Sequence, residues 1–168
     1  MKKLLTGVIV GVCLCLLAEY LFLTRGGMPV GTQGGPLPFE RFIAKAALRS
    51  AIGKGAALPS PIPADEANLV SGARIYREQC AVCHGQLGAQ ISATARGMFP
   101  PPPQLLPPKK GVTDDPVGET YWKVRNGIRL TGMPGYGQTL SEKELWQVSL
   151  LLLHADGLPA PAQDLLRR

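Results

Sequence analysis

At 168 residues, 45% apolar and 6% aromatic, the chain has room for one modest domain plus extensions, and its side chains alone are thin filling for a core. Twenty glycines and sixteen prolines assign much of it to loop and turn. The net charge of +6 lies mostly in residues 1–64, with seven Lys/Arg against two acids; residues 65–168 carry eleven against ten. No basic patch interleaved with aromatics accompanies it, so no nucleic-acid partner is expected and a membrane surface suits that charge better.

Lys2-Lys3 precedes an apolar run from Leu4 to Leu23, 20 residues broken by one charge, Glu19. At about 1.5 Å per residue the run spans roughly 30 Å, a bilayer core. The two lysines favour a cytoplasmic N-terminus, so the chain beyond the run is exported. A cleaved signal peptide is the competing reading. It calls for a shorter apolar core and small residues before the cut, and Ala18-Glu19-Tyr20 is a poor site. Residues 1–23 are therefore expected as a transmembrane anchor, with Cys13 and Cys15 as small apolar fillers. Residues 24–63 read as a Gly/Pro-rich linker. Within it, Phe39, Phe42, Ile43 and Ala46 fall at helical spacing, and Arg41, Lys45 and Arg49 fall four apart, which predicts a basic amphipathic helix over 39–52. Two readings of that helix stand: one lying on anionic lipid, the other a spacer docked on the domain.

The domain is expected over 64–157. Asp65 and Glu66 suit the start of a helix running into Cys80-Ala81-Val82-Cys83-His84. Cys-x-x-Cys-His is the attachment pattern for a c-type haem. Each thiol can add to a porphyrin vinyl group, and the histidine then lies under the iron as its proximal ligand. A closed zinc site wants four ligands, and outside the motif the chain offers only Cys13, Cys15 and His154. A Cys80–Cys83 disulfide would leave His84 without a role. Gly85 to Gly111 reads as a long irregular loop, sensible if it wraps a ligand. Asp115-Pro116 looks like an N-cap followed by a first-turn proline, opening a helix through Tyr121, Trp122 and Val124 to Asn126-Gly127. Ser141 and Glu144 form a capping box for a last helix through Leu145, Trp146, Leu150 and Leu153 to about Asp156-Gly157. Residues 158–168 read as a C-terminal tail. No strand alternation is convincing, so the fold class is all-α.

A six-coordinate iron needs a second ligand, and a methionine thioether raises the potential relative to a second histidine. Met1 is the terminus and Met28 lies in the anchor linker. Met98 follows His84 by only 14 residues and suits an apolar loop contact. Met133 lies 49 residues after His84, in the turn-rich Thr131-Gly132-Met133-Pro134-Gly135-Tyr136-Gly137, and is the expected distal ligand. His154, among leucines near a helix end, is the alternative and reads better as a helix-end residue.

With the motif, Gly132-Met133-Pro134 and two terminal helices in place, residues from about Ala64 to Gly157 resemble a class I c-type cytochrome, membrane-anchored and monohaem. The resemblance implies a small helical domain wrapped around one covalent haem c with its iron, held by Cys80, Cys83, His84 and Met133. It implies that the first and last helices cross closely, with Gly72 and Tyr76 meeting Trp146. It implies that a proline carbonyl among 100–103 accepts from His84, and that Tyr121, Trp122 and Arg125 are candidates for holding the propionates. The function expected is one-electron transfer in a respiratory or dehydrogenase-linked chain, not catalysis. Redox donors and acceptors and membrane lipid would be the partners. The place would be the bacterial inner membrane, single-pass, with the haem domain on the periplasmic face. The alternatives are a fixed subunit of a membrane oxidoreductase complex and a peroxidase-like haem enzyme with a labile sixth ligand.

Overall fold

The structure, a computed structural model, describes residues 1–107 and 111–167. Pro108, in the expected irregular loop, and Arg168, in the expected tail, lie outside them. The chain forms two compact units, Met1–Pro38 and Phe39–Arg168. Among the described residues all regular structure is helical.

The first unit holds α1, Lys2–Thr24, a helix of 23 residues that is long and apolar enough to cross a membrane and buries none of its side chains within the protein. A hydrophobic surface of this kind is stable in lipid and costly in water.

The second unit begins with α2, Glu40–Ile52, which ends in a 3₁₀ turn at Gly53–Ala57. Residues 53–63, expected as linker, are clamped here. The α-carbon of Gly118 lies so close to the carbonyls of Gly55, Ala56 and Leu58 that a Cβ would be 2.7 Å from Leu58 O and 2.8 Å from Ala56 O. The Trp122 ring lies against Gly55. Only a side chain without Cβ lets two backbones come that near.

The domain proper opens at α3, Glu66–Ile75, at the helix start expected from Asp65 and Glu66, and there the Asp65 carboxylate accepts from Asn68 N at 2.8 Å as an N-cap. One π turn, Tyr76–Cys80, joins α3 to the short α4, Ala81–His84. A single-turn α5 spans Ala93–Arg96 in the otherwise irregular stretch. Helix α6, Val117–Asn126, starts one residue later than Asp115-Pro116 predicts. Pro116 takes an extended ψ of 134° and is itself the cap position. The Asp115 carboxylate instead pairs with Lys123 at 3.6 Å. Helix α7, Glu142–Leu153, carries the full capping box of Ser141 and Glu144 and is followed by a 3₁₀ turn at Ala155–Gly157.

The core lies where α3 packs on α7, built from Leu69, Ala73 and Tyr76 with Leu145, Val148 and Leu151. Gly72 sits at the closest approach, against the Gln147 carbonyl and Leu151. Trp146 stacks on Tyr121 of α6, ring centroids 4.0 Å apart. One polar pair is buried there: Gln147 Nε2 donates to Asn68 Oδ1 at 2.9 Å, and Asn68 Nδ2 donates to the Pro63 carbonyl. The expected tail is an eighth helix, α8, Ala160–Arg167. It buries Ala162 and Leu166 on the domain, and the Leu166 carbonyl accepts from Leu87 N. Pro159 and Pro161 discourage a helix in a sequence reading, yet prolines at a helix start sacrifice no hydrogen bond.

Candidate functional site

The site starts from the π turn. It carries α3 into the Cys80–His84 segment, so both thiols and the imidazole come off one short, well-anchored stretch. Cys80 and Cys83 are both half-buried and both free thiols. Burial, with Cys83 beside it, pushes the Cys80 thiol up to about 12, so it stays protonated in the apoprotein.

His84 Nδ1 lies 2.8 Å from the Pro103 carbonyl. A carbonyl only accepts, so Nδ1 carries the proton and Nε2 keeps its lone pair. Burial pulls the His84 pKa down, outweighing the Pro103 bond that raises it, and the imidazole stays neutral. Of the prolines at 100–103, Pro103 is thus the one that orients the ring. Gly85 turns the chain after His84 with φ 81°, and its carbonyl accepts from the buried Tyr76 hydroxyl at 2.8 Å.

Met133 comes from the loop between α6 and α7. Gly127 turns into it with φ 68°. Tyr136 N donates to Val124 O and Gly137 N to Arg125 O, both at 2.9 Å, while Ile128 N donates to Met133 O at 3.2 Å. The Tyr136 hydroxyl donates to Gln79 O at 2.9 Å, tying this loop to the residue before Cys80 across 57 positions. Met133 is half-buried against the same core cluster that Cys80 joins. Met98 is the loop contact expected of it, its thioether packed against Gly132 next door. His154 is an exposed residue at the C-cap of α7.

Tyr121, Trp122 and Arg125 are engaged elsewhere. Tyr121 stacks on Trp146 and donates to Glu142, Arg125 pairs with Glu142, and Trp122 covers Gly55. Sequence reasoning does not single out Tyr136 or Gln104. Tyr136 has a signal there, as the one aromatic in the Met133 turn. Gln104 has none beyond following Pro103.

Two observations test whether these residues suit a haem. The Nε2 of Gln104, packed beside Gly85, is buried without a hydrogen-bond partner, a donor that a haem propionate or another acceptor would satisfy. The other is the donor set: two free thiols, one imidazole with its Nε2 unprotonated, and a half-buried thioether on a braced loop. Among the described residues no group of three or more His, Cys, Asp or Glu could hold a metal ion directly, so a zinc centre has no ligand set. The residues fit the haem.

Fold and site together define a small helical domain that carries a covalent haem. The family described as cytochrome C oxidase, cbb3-type, subunit III matches residues 67–150, half of the chain, and the protein belongs to that family. Comparison with curated proteins and with solved structures finds no match. The chain is accordingly a c-type cytochrome of the class I monohaem type, binds haem c covalently with its iron, and serves electron transfer; Cys80, Cys83 and His84 fit the Cys-x-x-Cys-His motif.

Proposed function

We propose that Cys80 and Cys83 hold the haem as thioethers, that His84 Nε2 and Met133 Sδ are its axial ligands, and that the chain is a one-electron carrier rather than an enzyme. In this reading residues 1–23 anchor a haem domain of residues 64–157 to the bacterial inner membrane, on its periplasmic face. Redox proteins at that membrane are its donors and acceptors. When bound, haem c supplies an iron that takes up and releases one electron. The chain's own part is to keep both axial side chains in place. The Pro103 carbonyl fixes the His84 ring and raises its basicity. The Tyr136–Gln79 bond holds the Met133 loop against the cysteine segment. The observation that carries the reading is the His84–Pro103 bond, which leaves Nε2 as the free ligand nitrogen. A sixth ligand on a braced loop also argues against an open iron reacting with peroxide.

The test is the visible spectrum and potential of exported, haem-loaded protein with Met133→Ala and, separately, Met98→Ala. The expected result is that Met133→Ala keeps the haem attached, loses the sulfur–iron signature and lowers the potential, while Met98→Ala leaves the signature intact. The opposite pattern would make Met98 the ligand. The name of the matching family, an oxidase subunit, favours a second reading in which the chain is fixed in a membrane oxidoreductase complex. Co-migration with larger partners after gentle solubilisation would separate that from a free carrier.

A further inference from the structure

Helix α2 leaves one stripe uncovered. At about 100° per residue, Leu48 and Ile52 lie close together on one side. Ile52 is buried and Leu48 half-buried, so this side is the one held by the protein. Phe42, Ala46 and Ile43 form a second stripe roughly 150° away. Phe42 and Ile43 are 73% and 62% exposed, and Phe39, just before the helix, is 77% exposed. These are three of the most exposed large apolar side chains in the second unit. Lys45 and Arg49, both exposed, fall between the two stripes, and the exposed Arg41 lies in line with Leu48 and Ile52 about two turns nearer the helix start. A soluble face would not collect apolar rings beside a basic row; an anionic interface takes both.

Chain length favours the same occupant. Between Thr24, the end of α1, and Phe39 lie 14 residues. Fully extended they reach roughly 50 Å. If α1 spans the membrane, α2 can never be farther than that from a lipid surface. The effective concentration of lipid at α2 is then set by the tether, and weak affinity suffices.

We propose that α2 is a second membrane contact. Phe39, Phe42 and Ile43 enter the interface of an anionic bilayer, and Arg41, Lys45 and Arg49 meet lipid phosphates with their alkyl stems buried. The inference rests on α1 being a membrane span. Its consequence is that the haem domain is held in a fixed orientation on the membrane by the clamped turn at Gly53–Ala57, rather than swinging freely.

The test uses the full-length, haem-loaded, reduced protein in vesicles of phosphatidylcholine, with or without about one-third phosphatidylglycerol. Single spin labels replace Ala46, Ala44 or Val10 in a Cys13→Ser, Cys15→Ser background, and collision with oxygen and with a water-soluble nickel chelate is measured. In anionic vesicles the label at 46 should be open to oxygen and shielded from nickel, while the label at 44, on the opposite side, stays open to nickel. In pure phosphatidylcholine both should be open to nickel. Each basic residue at an anionic surface contributes about fivefold, so Arg41→Glu with Lys45→Glu and Arg49→Glu should lower the docked-to-free ratio on the order of a hundredfold and expose the label at 46. A label at 46 equally open to nickel in both vesicles overturns the proposal. Shielding from both reagents regardless of lipid also overturns it, and marks a protein partner or a second copy instead. A label at 10 open to nickel shows that the span itself has failed, a distinct outcome from failure of α2 alone.

Discussion

Replacing Gly72 with alanine should separate α3 from α7. A Cβ there would lie 2.8 Å from the Gln147 carbonyl carbon and 3.1 Å from Leu151 Cβ, where ordinary contact begins near 3.4 Å. The nearest obstacle is the Gln147 carbonyl oxygen, which is backbone, so no rotamer change relieves it, and the helices must part by roughly one ångström. Overpacking against backbone falls in the upper part of the usual range, about 2–3 kcal/mol, and alanine's better helix propensity offsets about 1 kcal/mol. The net loss is about 1–2 kcal/mol. For a unit of this size that lowers the melting temperature by roughly 5 °C. The assay is thermal unfolding of the haem-loaded full-length protein in detergent, followed by far-ultraviolet circular dichroism. Gly157→Ala is the control, since a Cβ there meets nothing within 4 Å. A Gly72→Ala variant melting with or above the wild type would refute the close-approach argument.

Tyr136→Phe removes the bond to Gln79 O while keeping the ring. We expect a global loss of about 1 kcal/mol, together with loss of the sulfur–iron signature at a temperature well below unfolding; simultaneous loss of both on heating would mean the bond does not brace the loop. Ser141→Ala should cost about 1 kcal/mol at neutral pH by removing the cap of α7, read from denaturant midpoints. The Ser141 hydroxyl, and then its backbone N–H, hold the Glu144 carboxyl below the usual range. A lowered folded-state pKa means the associated stability is present above the ordinary glutamate pKa and fades as pH falls through the lowered one. The gap between wild type and Ser141→Ala should therefore narrow in acid below about pH 4; a gap that widens there contradicts the capping box.

Several parts of this structure are legible in the sequence because they depend on local chemistry. The Asp65 cap, the capping box at Ser141 and Glu144, and Gly127 at the end of α6 each act within three or four residues of their partner. The cysteine–histidine motif is legible for the same reason, since its chemistry fixes its spacing. The features that escape a sequence reading depend on contacts far along the chain. The grip of Gly118 on Gly55 converts an apparent linker into packed structure. Helix α8 survives its prolines because α3 and Leu87 receive it. The choice of Pro103 from a run of four depends on where a 19-residue excursion returns to His84. Tyr121 and Arg125 look available for a ligand in the sequence, whereas Trp146 and Glu142 occupy them in the fold.

The π turn at Tyr76–Cys80 fits one more residue into a helical turn than an α-helix holds. It therefore sets a phase difference between the face α3 presents to α7 and the direction in which the cysteines leave the rod. Winding the same five residues as ordinary α-helix would rotate the segment beyond them by about 100°. The same three side chains would remain in the sequence, in the same order, aimed at a different quarter of the molecule.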